Sequence, residues 1–128
     1  MKNHSVLVIE DSEIDQYIVK YMIQKFDSEL EILQALDGLE AIEILTTLNE
    51  QPIIIFLDIN MPRMNGHEFL KEYEQSMIKK TPVIMLSSSF QKKDREKCFM
   101  HECVKEYIAK PVDVSDLSSV FKLANNYN

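Results

Sequence analysis

The sequence predicts a doubly wound α/β domain: a parallel sheet of five short strands with helices on both faces. Three observations carry this. Short apolar runs rich in β-branched residues recur without polar alternation, stretches of helical periodicity lie between them, and the two types alternate, strand then helix, five times. Right-handed crossovers then connect neighbouring parallel strands.

The first strand is Val6-Leu7-Val8-Ile9, whose lack of alternation suits burial on both faces. Ile14, Tyr17, Ile18, Tyr21 and Met22 follow, at the i, i+3, i+4, i+7, i+8 spacing of an amphipathic helix, with Asp11 or Ser12 available as its cap. Leu30-Glu31-Ile32-Leu33 is more polar and fits an edge strand. Ala41, Ile44, Leu45 and Leu48 mark the second helix, and Ile53-Ile54-Ile55-Phe56-Leu57 the next strand. Phe69 and Tyr73, four apart after a Pro62 to Gly66 loop, mark the third helix, and Val83-Ile84-Met85-Leu86 the strand after it. Gln91 to Met100 is charge-dense with a poor apolar stripe and is assigned to helix. A weaker strand at Val104 to Ile108 precedes a last helix on Leu117, Val120, Phe121 and Ala124, capped by Asp113 or Ser115. Pro52, Pro82 and Pro111 fall at strand starts or just after a strand, where a missing N–H is tolerated. Asn125 to Asn128 is a polar tail.

Composition narrows the function. A chain of 128 residues, 45% hydrophobic and 27% charged, reads as one domain spanning residues 1–128 that needs no disulfide or metal to hold its core. The net charge of −7 opposes nucleic-acid binding, which draws on Lys and Arg to neutralise phosphates. The basic residues Lys79-Lys80 and Lys92-Lys93-Asp94-Arg95 are interrupted by acids and read as a solvated face. With only Gly38 and Gly66 present, neither a GxGxxG nor a P-loop phosphate cradle can be written. Cys98 and Cys103 match neither CxxC nor a zinc spacing with the three histidines, so reduced thiols are expected. There is no signal peptide and no long apolar span, which predicts a cytoplasmic protein that makes no membrane contact.

In doubly wound sheets the loops leaving the carboxyl ends of the strands build the site. Here those loops carry Glu10-Asp11, Asp58-Ile59-Asn60-Met61-Pro62, Ser87-Ser88-Ser89 and Lys110-Pro111. Each residue has an ordinary alternative: Asp11 and Ser87 as helix caps, Asp58 as a turn former, Lys110 as a surface charge. Their joint appearance at successive strand ends is harder to explain that way. Three carboxylates gathered together raise one another's pKa unless a cation neutralises them, and an all-oxygen set with room for water suits Mg²⁺. A purely structural metal site is the alternative, but Lys110 favours an anion beside the cation. A flavin phosphate is disfavoured, since Glu10-Asp11 fills the first strand-to-helix loop where N–H groups would be wanted.

Four segments, Val6 to Asp11, Leu57 to Gly66, Pro82 to Ser88 and Tyr107 to Pro111, resemble in order and spacing the receiver domain of two-component response regulators. The resemblance covers essentially the whole chain. It implies a flavodoxin-like fold with strand order 2-1-3-4-5, and a stand-alone phosphorylatable switch rather than an enzyme. By that resemblance Asp58 is the phosphoacceptor. Mg²⁺ is held by Asp11 directly, by Glu10 through water, by Asp58 and by the backbone carbonyl of Asn60. Lys110 and Ser87 contact the phosphoryl group, and Tyr107 moves inward when the Ser87 loop is drawn to it. Asn60 and Ser89 flank the path of hydrolysis, and the Lys110-Pro111 bond is expected to be cis.

The implied partners are a histidine kinase or histidine phosphotransfer protein as donor and a downstream protein target that the sequence does not identify. A phosphorylation-independent binding scaffold is the alternative reading, disfavoured by the presence of Asp58, Ser87 and Lys110 together. An aspartyl phosphohydrolase would want a second acid where Asn60 stands. Three departures from the family pattern are visible: Glu10 for a common Asp, Ser88 for a frequent Ala, and Cys103 where glycine commonly precedes the last strand. At Cys103 a Cβ is unfavourable if the position takes a positive φ.

Overall fold

The structure is a computed structural model that describes residues 4–88 and 91–124; Ser89 and the Asn125 to Asn128 tail lie outside the described residues. Five β-α units follow one another: β1 (Ser5–Ile9), α1 (Glu13–Phe26), β2 (Glu31–Ala35), α2 (Gly38–Thr47), β3 (Ile54–Leu57), α3 (Gly66–Gln75), β4 (Val83–Ser87), α4 (Lys92–Phe99), β5 (Val104–Ala109) and α5 (Val114–Phe121). The strands form one sheet in the order β2-β1-β3-β4-β5, and every adjacent pair is parallel. The parallel doubly wound sheet predicted from the alternating pattern is observed, with the strand order that the receiver-domain resemblance implies.

Burial explains which strands were easiest to read. All residues of β3 and β4 are buried, as is β1 beyond Ser5, whereas the edge strands β2 and β5 are only partly covered. Side chains alternate between two cores. On one face Val6, Val8, Ile54, Phe56 and Ile84 pack with Val19 and Ile23 of α1 and Leu117, Val120 and Phe121 of α5. Phe121 stacks on Phe26 with ring centroids 5.0 Å apart and tilts against Phe56 at 6.4 Å. On the other face Leu7, Ile9, Ile55, Leu57 and Met85 meet Ala41 and Leu45 of α2, Phe69 and Tyr73 of α3, and Cys98 of α4.

One helix face differs from the expectation. Ile14, Tyr17, Ile18 and Tyr21 are exposed at 73%, 69%, 38% and 53%, so α1 turns most of its predicted stripe to solvent. It buries Gln16, Val19 and Ile23 instead. The reason is polar: Gln16 Nε2 lies 3.0 Å from each of the Val8, Glu10 and Ala35 carbonyls, which ties this helix face to the ends of β1 and β2. Buried carbonyls at strand ends need donors, and an inward-facing amide supplies them.

Of the alternative caps, Ser12 closes α1 by accepting from Asp15 N–H, and Asp113 closes α5 in a capping box with Asp116. The α4 helix has no side-chain cap at Gln91. Cys103 does not require the left-handed region, since among the described residues Arg63, at φ 60°, is the non-glycine residue with positive φ. The chain leaves α4 through short turns instead, with His101 N–H donating to Cys98 O and Val104 N–H to His101 O.

Candidate functional site

Backbone register brings the strand ends together. Glu10 N–H donates to Ala35 O, Asp58 N–H to Ile9 O, and Lys110 N–H to Ser87 O, each at 3.0 Å. These bonds extend the parallel ladders by one residue beyond β1, β3 and β5, so the side chains that follow the strands emerge at one edge of the sheet. One carboxylate oxygen from each of Glu10, Asp11 and Asp58 lies within 4.8 Å of the others. Glu10 and Asp58 are buried at 3% and 7% exposure, while Asp11 is open to solvent.

Lys110 completes this arrangement from the end of β5. Its Nζ donates to Glu10 Oε1, lies 2.8 Å from Asp15 Oδ2 and 3.5 Å from Asp58 Oδ1. The Lys110-Pro111 peptide bond is cis. Ser87, at 1% exposure, ends β4 beside Ala109, and Asn60 is exposed on the loop that leaves Asp58. Tyr107 is half-buried against the core beneath α4, and the Arg95 guanidinium stands 5.6 Å from its ring centroid.

The electrostatics follow from burial. Desolvation pushes the Glu10 carboxyl above its usual pKa and the neighbouring Asp58 charge adds to this, against hydrogen bonds from Lys110 and the Ser12 N–H. Burial likewise raises Asp58, with Asp11 contributing and Lys110 opposing. For Lys110 burial works against the ammonium, but hydrogen bonds to Asp15 and Glu10 and the Asp58 charge outweigh it, so its pKa rises and the cation is secured. One lysine thus serves carboxylates from three segments and leaves the cluster with surplus negative charge. Oxygen-only donors, two of them held partly against ionisation, fit a hard divalent cation such as Mg²⁺.

The loop after Asp58 is fixed from two sides. Gly66 N–H donates to Ile59 O at 2.8 Å, drawing the start of α3 onto that loop. Arg63, in the left-handed region, places Nε 2.7 Å from Asp37 Oδ2 and a second nitrogen 3.3 Å from Oδ1, while Gly38 N–H donates to Met64 O at 2.9 Å. This pair fastens the loop to the N-terminus of α2. Burial opposes ionisation of Asp37, but Arg63 and the Glu40 and Leu39 N–H groups outweigh it and hold its carboxyl below the usual range.

The structure therefore gathers Glu10, Asp11, Asp58 and Lys110, with Ser87 adjoining Lys110 through the backbone, and sets Asn60 and Tyr107 at the margins. Sequence reasoning missed Asp15, which adds a fourth carboxylate, and the Arg63–Asp37 link. Asp15 had a readable signal, since it stands in the first helical turn after Glu10-Asp11. The cysteines play no part at this edge: both are free and buried, and desolvation first of all raises their thiols to about 11.

Comparison with known proteins agrees with this geometry. The family described as response regulator receiver domain matches residues 6–122. The sensor histidine kinase CheAY of Helicobacter pylori is 32% identical over 121 residues, 94% of this chain but 15% of the kinase. The two-component response regulator ORR11 of Oryza sativa subsp. indica is 32% identical over 117 residues, covering 91% of this chain and 77% of its own. Among solved structures, a two-component response regulator from Cytophaga hutchinsonii superposes with a TM-score of 0.84 at 30% identity, covering 95% of this chain and 96% of that one. With its fold, its acidic cluster and these likenesses in agreement, the chain belongs to the response regulator receiver domains, phosphoacceptor switches of two-component signalling.

Proposed function

We propose that Asp58 is the residue phosphorylated, that the donor is a phosphohistidine of a histidine kinase or histidine phosphotransfer protein, and that the output is contact with a protein target. The observation that carries this reading is the 3.5 Å approach of Lys110 Nζ to Asp58 Oδ1 at the edge of the carboxylate cluster. A cation held beside a carboxylate that already has acidic neighbours is placed to accept a further anion there.

In the reaction an Asp58 oxygen attacks phosphorus in line. The new O–P bond forms as the P–N bond breaks, and its electron pair leaves with the imidazole nitrogen. Glu10, Asp11 and Asp58, with the Asn60 carbonyl, are the residues that would hold magnesium, which when bound offsets repulsion between the carboxylates and the phosphoryl oxygens. Lys110 pairs with one phosphoryl oxygen and the Ser87 hydroxyl donates to another. Drawing Ser87 inward opens space on the neighbouring strand for Tyr107, whose ring leaves Arg95 and changes the face formed by α4, β5 and α5. Asn60, exposed two residues after Asp58, tunes hydrolysis of the acyl phosphate.

The donor docks on α1. Ile14, Tyr17 and Tyr21 are exposed on the helix that begins directly after Glu10-Asp11, so an apolar surface adjoins the pocket from which transfer must occur. The charge of −7 supports a protein without a nucleic-acid partner, and among the described residues no helix is long and apolar enough to cross a membrane.

Incubation with Mg²⁺ and a small acyl phosphate, followed by intact mass, tests the reading. Wild type gains one labile phosphoryl group and Asp58→Asn gains none. An equal adduct on Asp58→Asn, or none on wild type, overturns it.

A further inference from the structure

Lys110 is not held by the acidic cluster alone. Its Nζ is 2.8 Å from Asp15 Oδ2, nearer than the 3.5 Å to Asp58 Oδ1, and it also donates to Glu10. Asp15 is half-exposed in the first turn of α1, where its own N–H is taken by the Ser12 hydroxyl. A carboxylate is also well placed at this helix terminus. The side chain is therefore anchored by its backbone and reaches over the pocket toward the lysine. Glu10 is committed to the Ser12 N–H through its other oxygen, at 3.0 Å.

We propose that Asp15 is a positioning residue that restrains Lys110 in the unphosphorylated protein and must give up this ion pair when an anion arrives on Asp58. The inference rests on Asp58 being the phosphoacceptor. It adds a residue whose strength of pairing with Lys110 sets how readily the switch closes. An ammonium has three donors, and three carboxylates already occupy its neighbourhood. A phosphoryl oxygen therefore takes its place by exchange, and the outermost, most solvated partner is the one released. Water rehydrates the freed Asp15 carboxylate, whereas Glu10 and Asp58 stay buried. Asp15 thus lowers the pocket's affinity for the anion and biases the domain toward its unphosphorylated form.

The test is beryllofluoride, a non-covalent phosphoryl mimic, titrated in Mg²⁺ and read from backbone amide shifts near Tyr107. Asp15→Asn is expected to bind about three- to tenfold more tightly than wild type, the scale of exchanging one partly buried ion pair. Asp15→Glu keeps the carboxylate and returns affinity toward wild type. Glu13→Gln removes an equal charge from the same exposed helical turn without a contact to Lys110 and leaves affinity unchanged. Unchanged or weaker binding by Asp15→Asn overturns the inference while leaving Asp58 as acceptor, provided wild type responds. Equal tightening by Glu13→Gln also overturns it, because the general field would then account for the effect. A wild type with no saturable response overturns both this inference and the reading it rests on. Asn keeps the backbone N–H that Ser12 accepts but loses the ion pair and the carboxylate at the helix terminus, so in the absence of anion Asp15→Asn is expected to melt roughly 2–5 °C below wild type.

Discussion

A Cβ on Gly66 would stand 2.5 Å from the carbonyl oxygen of Asp58 and 2.9 Å from the Cα of Ile59. Both neighbours are backbone, so neither yields cheaply. Gly66→Ala is expected to destabilise the domain by about 1–3 kcal/mol through overpacking and to weaken Mg²⁺ binding at least severalfold, because the loop carrying Asp58 and Asn60 must shift. Urea unfolding and calorimetric Mg²⁺ titration check both; stability and affinity equal to wild type would show that the close approach is unimportant.

Lys110 is the cation shared by Glu10, Asp15 and Asp58. Lys110→Met keeps the stem and removes the charge, leaving two buried carboxylates without their counter-ion. In metal-free buffer the loss should be roughly 1–3 kcal/mol, and Mg²⁺ should restore more stability to the variant than to wild type. Urea midpoints with and without Mg²⁺ measure this. Equal stability of both proteins in metal-free buffer would contradict it.

Asp37 supplies a pH dependence whose sign is determined. Its folded-state pKa is held below the ordinary value, so the unfolded chain binds the proton more readily. The stability from the Arg63 pair is present above the unfolded aspartate pKa of about 3.9 and is lost as pH falls through that value toward the lower folded one. Arg63→Gln should therefore be less stable than wild type near neutrality, with the difference closing below roughly pH 4. Circular dichroism of acid unfolding follows the two curves; a gap that widens in acid would contradict the assignment.

The exposed α1 surface separates donor docking from chemistry. Ile14→Asp with Tyr17→Asp should leave phosphorylation by a small acyl phosphate unchanged and stability within about 0.5 kcal/mol, as expected of surface positions. Transfer from a cognate phosphohistidine protein should fall at least tenfold, measured as a transfer rate on a phosphate-affinity gel. Unchanged transfer would place the donor elsewhere.

What the sequence revealed depended on where the determinants lie along the chain. The strands β1, β3 and β4 are covered on both faces, so their apolar runs announced them, and the α2 and α5 stripes face the cores as their spacing implied. The strand-end rule then located Glu10, Asp11, Asp58 and Lys110 without coordinates. On α1 periodicity marked the wrong face, because hydrophobicity cannot report that Gln16 is drawn inward by three carbonyls. The weakly patterned α4 is held partly by polar contacts, among them His67 Nε2 3.2 Å from Asp94 Oδ1, which no stripe encodes. Asp15 meets Lys110 across 95 residues and Arg63 meets Asp37 across 26, so each pairing became visible only once the sheet order was known.

The central claim is that Asp58 itself receives the phosphoryl group. Borohydride reduces an acyl phosphate to the corresponding alcohol, so treating the phosphorylated protein and sequencing its peptides by tandem mass spectrometry marks the acceptor covalently. Homoserine at position 58, with Glu10, Asp11 and Asp15 unaltered, is the predicted result. Reduction at one of those other carboxylates, with Asp58 unmarked, would contradict the account.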